Sequence, residues 1–421
     1  MTPHVNSQRL LDELRTLATF SEPAAEDAEK PGDTAVTRIV FTERDREARA
    51  WLAAQAGAAG LTIRADAVGN TFFRWQGSEP ELPAVATGSH LDAIPNAGMY
   101  DGTVGVLGGL EAIRALQAAG FAPRRNIELI LFTSEEPTRF GIGCLGSRVM
   151  GGALSAESAG RLRDKDDKTI DEVRRAAGFI APLASAQLSP GHYAHFVELH
   201  IEQGPILERE GLDIGIVTAI AAPASSRITI QGEGGHAGAM LMPIRKDALA
   251  AASEVILAAE AAALATGAID TVATVGMCDV FPGAVNSVPS RVRLSLDVRD
   301  IDEARRDKVL AHIQQACDAT ASKRLITITT EVINSDAPAS CSPTILDVIE
   351  AACNEESAKS QRMVSRAYHD SLFMARICPI AMIFIPCRGG VSHRPDEFST
   401  PESIALGTRI LAKTLATLSS L

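Results

Sequence analysis

The sequence has no block of lysine and arginine, no closely spaced cysteine pair, and no apolar run long enough to cross a bilayer. Each absence narrows the possible functions. A net charge of −12 without a basic cluster argues against nucleic acid and anionic membrane surfaces as partners, since both attract positive potential. The longest apolar runs are strand-sized, well short of the ~20 residues of a spanning helix. Seven cysteines lie singly at 144, 278, 317, 341, 353, 378 and 387. An odd, scattered set predicts reduced thiols in a cytoplasmic protein, serving as small core side chains rather than disulfides or zinc ligands. The opening stretch MTPHVNSQRLLDELRTLATF carries acids inside an amphipathic pattern, which reads as the start of a helix and not as a signal peptide.

What is present is ordinary for a folded chain. It is 46% hydrophobic and 22% charged, and its 421 residues exceed the usual size of a single hydrophobic core, so two domains are expected. The stretches 84–90 (AVATGSH), 127–134 (IELILFTS), 194–200 (AHFVELH) and 380–387 (IAMIFIPC) are short apolar runs bounded by polar or turn residues. Such runs predict strands covered on both faces in a mostly parallel sheet. Between the first two, residues 103–119 repeat apolar side chains at helical spacing, and Gly120 stands where a C-terminal cap belongs. Strand, helix, strand makes an α/β layered domain. The middle of the chain has a different rhythm. Stretches 225–231, 270–278, 291–299 and 325–333 read as strands, with helices near 244–265 and 302–321, giving the β-α-β-β-α-β order of a ferredoxin-like module. The reading is therefore an α/β domain over 1–217 and 334–421, interrupted by an inserted α+β domain over 218–333. The charged stretch 161–176 (RLRDKDDKTIDEVRRA) reads as a solvated surface helix and loop.

The polar residues that close the buried strands carry the chemistry. His90 ends the first, Glu135 and Glu136 follow the second, His200 ends the third, and His393 lies past the fourth, with Asp92 and Asp101 after the first. Ligands of open α/β sheets gather at the carboxyl ends of strands, so these groups are expected to converge. Imidazole and carboxylate without thiolate suit divalent ions such as Zn²⁺ or Mn²⁺. A cation also accounts for two adjacent glutamates: one stays ionised as a ligand while the other takes a proton from water. Taken singly, each residue has a plainer reading, as a hydrogen-bonded strand-end histidine or a loop acid. His4, His192, His195 and His312 keep that plainer reading.

Five ordered stretches sharpen this: GSHLDAIPNAGMYDGTVGVLGGLEA, FTSEEPTRFG, ELHIEQGPILE, GGHAGA and AYHDSLFMARI…MIFIPCRGGVSHRPDE. Together they resemble the M20-type metallohydrolases, in particular the amidohydrolases of ureides and carbamoyl amino acids, over essentially the whole chain. Ser134-Glu135-Glu136-Pro137-Thr138 and Ala367-Tyr368-His369-Asp370-Ser371 are most similar to the ureidoglycolate-hydrolysing branch. The resemblance implies a zinc-aminopeptidase-like catalytic domain with a ferredoxin-like dimerisation lid. It implies two divalent cations, Mn²⁺ favoured over Zn²⁺, held by His90 and His200 on one side and Glu136 and His393 on the other, with Asp101 bridging. It implies Glu135 as general base, Asp92 orienting His90, and His236 (in GEGGHAGA) stabilising an oxyanion across a homodimer interface, with Asn286 reaching from the same side. Asn286 and Arg299 would hold a substrate carboxylate, Tyr368, His369 and Gln203 would line the pocket, and Ser147 and Arg148 are further contacts or a helix cap. Ureidoglycolate hydrolysis is thus the expected activity. Allantoate or an N-carbamoyl-L-amino acid is the alternative substrate, an aminopeptidase or aminoacylase the alternative class, and a ureide-binding protein the non-enzymatic reading.

Overall fold

The structure is a computed structural model that describes residues 3–23 and 34–421. The chain divides into two compact units: Met1–Thr218 with Ser340–Ser365 and His369–Leu421, and Ala219–Ala339 with Arg366–Tyr368.

The first unit is built on a mixed sheet. At its centre lie four parallel strands, β1 (Ala84–His90), β2 (Ile127–Phe132), β3 (Tyr193–Ile201) and β4 (Ile380–Ile385), in the order β4-β3-β1-β2. Every residue of β1, β2 and β4 is buried, as expected for strands covered on both faces. The flanks run the other way: 214–220 pairs antiparallel with β4, and 71–75 antiparallel with β2. Helix α1 (Thr103–Ala118) buries most of its length against the sheet. Its Gly105 lets it lie close, since a Cβ there would stand 2.4 Å from the Leu199 carbonyl oxygen. The approach matters because it sets the residues just ahead of α1 against the strand ends.

The charged stretch 161–176 is less solvated than expected. Helix Ile170–Ala176 buries Arg174, whose Nη1 donates to the carbonyls of Ala67 (3.0 Å), Phe179 (2.6 Å) and Ala181 (2.7 Å). Period and charge could not reveal this, because the guanidinium joins the turn just after its own helix, at Phe179 and Ala181, to the Ala67 carbonyl 107 positions away. Six of the seven cysteines are buried and Cys278 is exposed. Among the described residues, no helix is long and apolar enough to cross a membrane.

The second unit is a four-stranded antiparallel sheet in the order 272–281, 291–300, 222–231, 327–335, with helices Ala248–Leu264 and Glu303–Arg324 packed on one face. Along 291–300 the alternation is regular: Val292, Leu294, Leu296 and Val298 are buried beneath the helices. Residues 366–368 join this unit because Arg366 pairs with Asp270 at 2.6 Å and the Tyr368 ring lies 5.6 Å from the Arg299 guanidinium.

Candidate metal centre

Strand register brings the polar ends together. His90 lies opposite Phe132 across β1 and β2, and His200 opposite Phe384 across β3 and β4, so both imidazoles leave the same edge of the sheet. Asp101 lies just ahead of α1, and Gly102 between them adopts φ +66. A Cβ on Gly102 would stand 2.4 Å from His90 Nε2, so only glycine allows the chain to pass that close to the ring.

Asp101 sits at the centre. Its Oδ1 is 3.1 Å from His200 Nε2 and 3.7 Å from His90 Nε2, while its Oδ2 is 3.3 Å from His393 Nε2. His393 Nε2 is also 3.3 Å from Glu136 Oε1. Two groups result, His90–Asp101–His200 and Asp101–Glu136–His393, each with donor atoms within 4.8 Å of one another. Donors around a divalent cation at about 2.1 Å stand roughly 3–3.6 Å apart, so the spacings fit such an ion. A third group, Glu198–His200–His369, is better explained without an ion. Glu198 already accepts from Ser89 Oγ (2.8 Å) and from Ser371 Oγ (2.6 Å).

The electrostatics ask for positive charge at this place. Burial disfavours ionised imidazole, yet the Asp101, Glu135 and Asp92 carboxylates hold His90 well above its usual value. Hydrogen bonds with Asp101 and Glu136 raise His393 to about 11. Glu135 is pushed well up by burial and by the neighbouring Glu136, Asp370 and Asp101 carboxylates. A cation would balance the same carboxylates. Backbone geometry agrees: Ser134, Gln203 and His393 all have positive φ, the kind of strain that collects at functional sites.

The supporting contacts differ in detail from the sequence reading. His90 Nδ1 is held by the Asp92 main-chain oxygen at 3.0 Å, while the Asp92 carboxylate stands 3.8 Å from it. That carboxylate accepts instead from the amides of Glu135 (3.2 Å) and Glu136 (3.0 Å), and so aims both glutamates. Gln203 donates from Nε2 to Asp101 Oδ2 at 2.7 Å and leaves a buried Oε1 without a partner. Sequence reasoning missed Ser392 and Glu397. Ser392 Oγ lies within hydrogen-bond distance of Asp101 Oδ2 (2.8 Å) and Glu397 Oε2 (2.9 Å), and Glu397 Oε1 accepts the amides of Tyr100 (2.9 Å) and Asp101 (3.0 Å). Both residues stand in the stretch around His393, but nothing in their spacing marks them. His369 is buried in this unit too, its ring 4.5 Å from that of His200.

His236, Asn286, Arg299 and Tyr368 belong to the second unit. His236 is exposed on the short pairing of 235–236 with 287–288, and Asn286 is beside it through the Ala237 N–H to Asn286 carbonyl bond of 2.8 Å. Arg299, at the end of its strand, pairs with Asp297 at 2.8 Å beside the Tyr368 ring.

A parallel-cored α/β sheet with imidazole and carboxylate groups gathered at its strand ends is the framework of a metallohydrolase. The chain belongs to peptidase family M20/M25/M40, whose model matches residues 86–417, and it is a hydrolase of that family. It is similar to the ureidoglycolate hydrolase of Arabidopsis thaliana, 50% identical and covering 99% of this chain and 87% of that protein. An N-carbamoyl-L-amino acid amidohydrolase of Geobacillus stearothermophilus is 40% identical over 90% of this chain and 92% of that protein. A solved structure of AtUAH in complex with glyoxylate matches with a TM-score of 0.88 at 50% identity, covering 99% of each chain.

Proposed function

We propose that this chain is a dinuclear amidohydrolase that cleaves a C–N bond of a linear ureide, with (S)-ureidoglycolate as substrate. The observation that carries the reading is Asp101, whose Oδ1 faces His90 and His200 while Oδ2 faces His393 beside Glu136. A carboxylate so placed is suited to be shared between two cations. His90 and His200 would hold one and Glu136 and His393 the other. The imidazole-and-oxygen set suits either Zn²⁺ or Mn²⁺, and the likeness to ureidoglycolate-hydrolysing enzymes favours Mn²⁺. When bound, the cations supply Lewis acidity, lowering the pKa of a water from about 15.7 toward 7 and polarising the ureido carbonyl.

Glu135 takes the proton of the attacking water and returns it to the leaving nitrogen as ammonia. His236 donates to the oxyanion that develops on the carbonyl oxygen. Its Nδ1 already accepts the Gly238 amide at 3.1 Å, which leaves the N–H of the neutral ring on Nε2. His236 and Asn286 act across a homodimer interface, and Arg299 with Asn286 grips the substrate carboxylate. Tyr368, His369 and Gln203 complete the pocket. The carbamate so formed loses carbon dioxide, and the resulting hydroxyglycine decays to glyoxylate with a second ammonia.

The likeness to the plant ureidoglycolate hydrolase supports the substrate, and that to the carbamoyl-amino-acid enzyme supports the second reading, allantoate or an N-carbamoyl-L-amino acid. Comparing kcat/KM for the three substrates with Mn²⁺ present, and counting ammonia per ureidoglycolate consumed, tests the choice. Two ammonia per ureidoglycolate and the highest kcat/KM on it are expected. An equal or better rate on allantoate or a carbamoyl amino acid would overturn it.

A further inference from the structure

One buried carboxyl beside the cluster has no part in the chemistry above. Asp370 opens the short helix Asp370–Met374 and is wholly buried. Its Oδ1 accepts the Ser147 hydroxyl at 2.5 Å, but its Oδ2 is buried with no hydrogen-bond partner. A buried acceptor left unmet is costly, and calls for a donor that the surrounding chain does not provide.

The position of Asp370 indicates where that donor comes from. Ser147 Oγ also stands 3.2 Å from the Cys144 carbonyl oxygen, and the Cys144 thiol donates to Glu135 Oε1 at 3.3 Å. A single turn of chain therefore links the Asp370 carboxyl to the Glu135 carboxyl. Asp370 also acts electrostatically on this turn, helping to push Glu135 and Cys144 up, while burial and the Glu198 carboxylate push Asp370 itself up to about 8. The neighbouring carboxylate Glu198 is no donor, and its own oxygens are taken by Ser89 and Ser371. What the place lacks is a hydrogen-bond donor, and an N–H would serve.

Building on the ureide reading, we propose that Asp370 is a specificity-determining residue: its Oδ2 accepts an N–H of the substrate's terminal ureido amino group. This selects a carbamoyl end over an acyl or formyl end. It also holds the leaving nitrogen near the carboxyl that protonates it. A site built around such an N–H rejects analogues without one, because the buried acceptor then stays unpaired.

The test measures competitive inhibition of ureidoglycolate hydrolysis by N-carbamoylglycine and N-formylglycine, which differ by that amino group alone, on Mn²⁺-loaded protein. The wild type is expected to favour the carbamoyl compound by about tenfold or more. In Asp370→Ala the preference should shrink to within about twofold of unity, with the formyl constant and metal content unchanged. Loss of both affinities in equal proportion, as a merely structural role would give, or an unchanged preference, overturns the proposal. If Asp370→Ala does not fold, Ser147→Ala, which removes the bond aiming the carboxyl, should reduce the preference by about threefold. An unchanged ratio there also overturns it. A wild type that fails to turn over ureidoglycolate sinks the ureide reading itself, whereas one that turns it over without preferring the carbamoyl compound sinks only the role of Asp370.

Discussion

Gly102→Ala tests the candidate centre through its tightest backbone approach. The added Cβ would lie 2.4 Å from His90 Nε2 and 2.5 Å from Cδ2, where ordinary contact begins near 3.4 Å, so the ring is about 1 Å too close. His90 is buried and held at Nδ1 by the Asp92 carbonyl, so it yields only by leaving its place opposite Asp101. The φ of +66 adds strain of about 1–3 kcal/mol for a residue with a Cβ. A displacement of this size costs about 100-fold in turnover, and disturbing a ligand's setting costs about 10–100-fold in metal affinity. Gly120→Ala is the control, since Gly120 has φ +73 but nothing within 4 Å of its Cβ position. Both variants should lose roughly 1–5 °C in Tm from backbone strain. Only Gly102→Ala should lose metal, read by elemental analysis after dialysis against dilute Mn²⁺, and activity with it. Wild-type metal content in Gly102→Ala would refute the placement of His90 as a ligand.

Further predictions address the chemistry and the frame. Glu135→Gln should keep its metal and lose about 10²–10⁴-fold in kcat; a variant that stays active places the base elsewhere. Asp101→Asn, which weakens both donor groups at once, should lower metal content more than Glu136→Gln does, and equal losses would argue against sharing. Metal uptake must displace the protons that hold His393 near 11 and His90 well above its usual value, so apparent affinity should rise with pH. The slope is about tenfold per pH unit for each proton released, and a flat profile between pH 6 and 8 would contradict it. Arg174→Met strands three carbonyls at about 1–3 kcal/mol each, so a clear fall in Tm with unchanged metal content is expected.

Much of the frame is legible without coordinates. The runs at 84–90, 127–134 and 380–387 are apolar on both faces, and each lies in the parallel core with little change of boundary. The alternation along 291–299 announces one covered face, and the helices over it supply the cover. Two adjacent glutamates after a buried strand are an anomaly that points to a cation, and they do stand at the cluster. Arg174 was not legible, nor was the switch of Asp92 from ring to amides, because both depend on which loop meets which.

Local chemistry written along the chain settles which segments are strands and which polar residues end them, since periodicity and burial act over a few neighbours. Convergence is a different matter. Glu397 reaches the amide of Asp101 across 296 positions, and Asp370 meets Ser147 across 223. Such meetings follow from strand order and close helix approach, which no stretch of neighbouring residues encodes. The tertiary structure alone therefore decided that Asp101 is gripped from several sides and that one carboxyl oxygen of Asp370 remains unanswered.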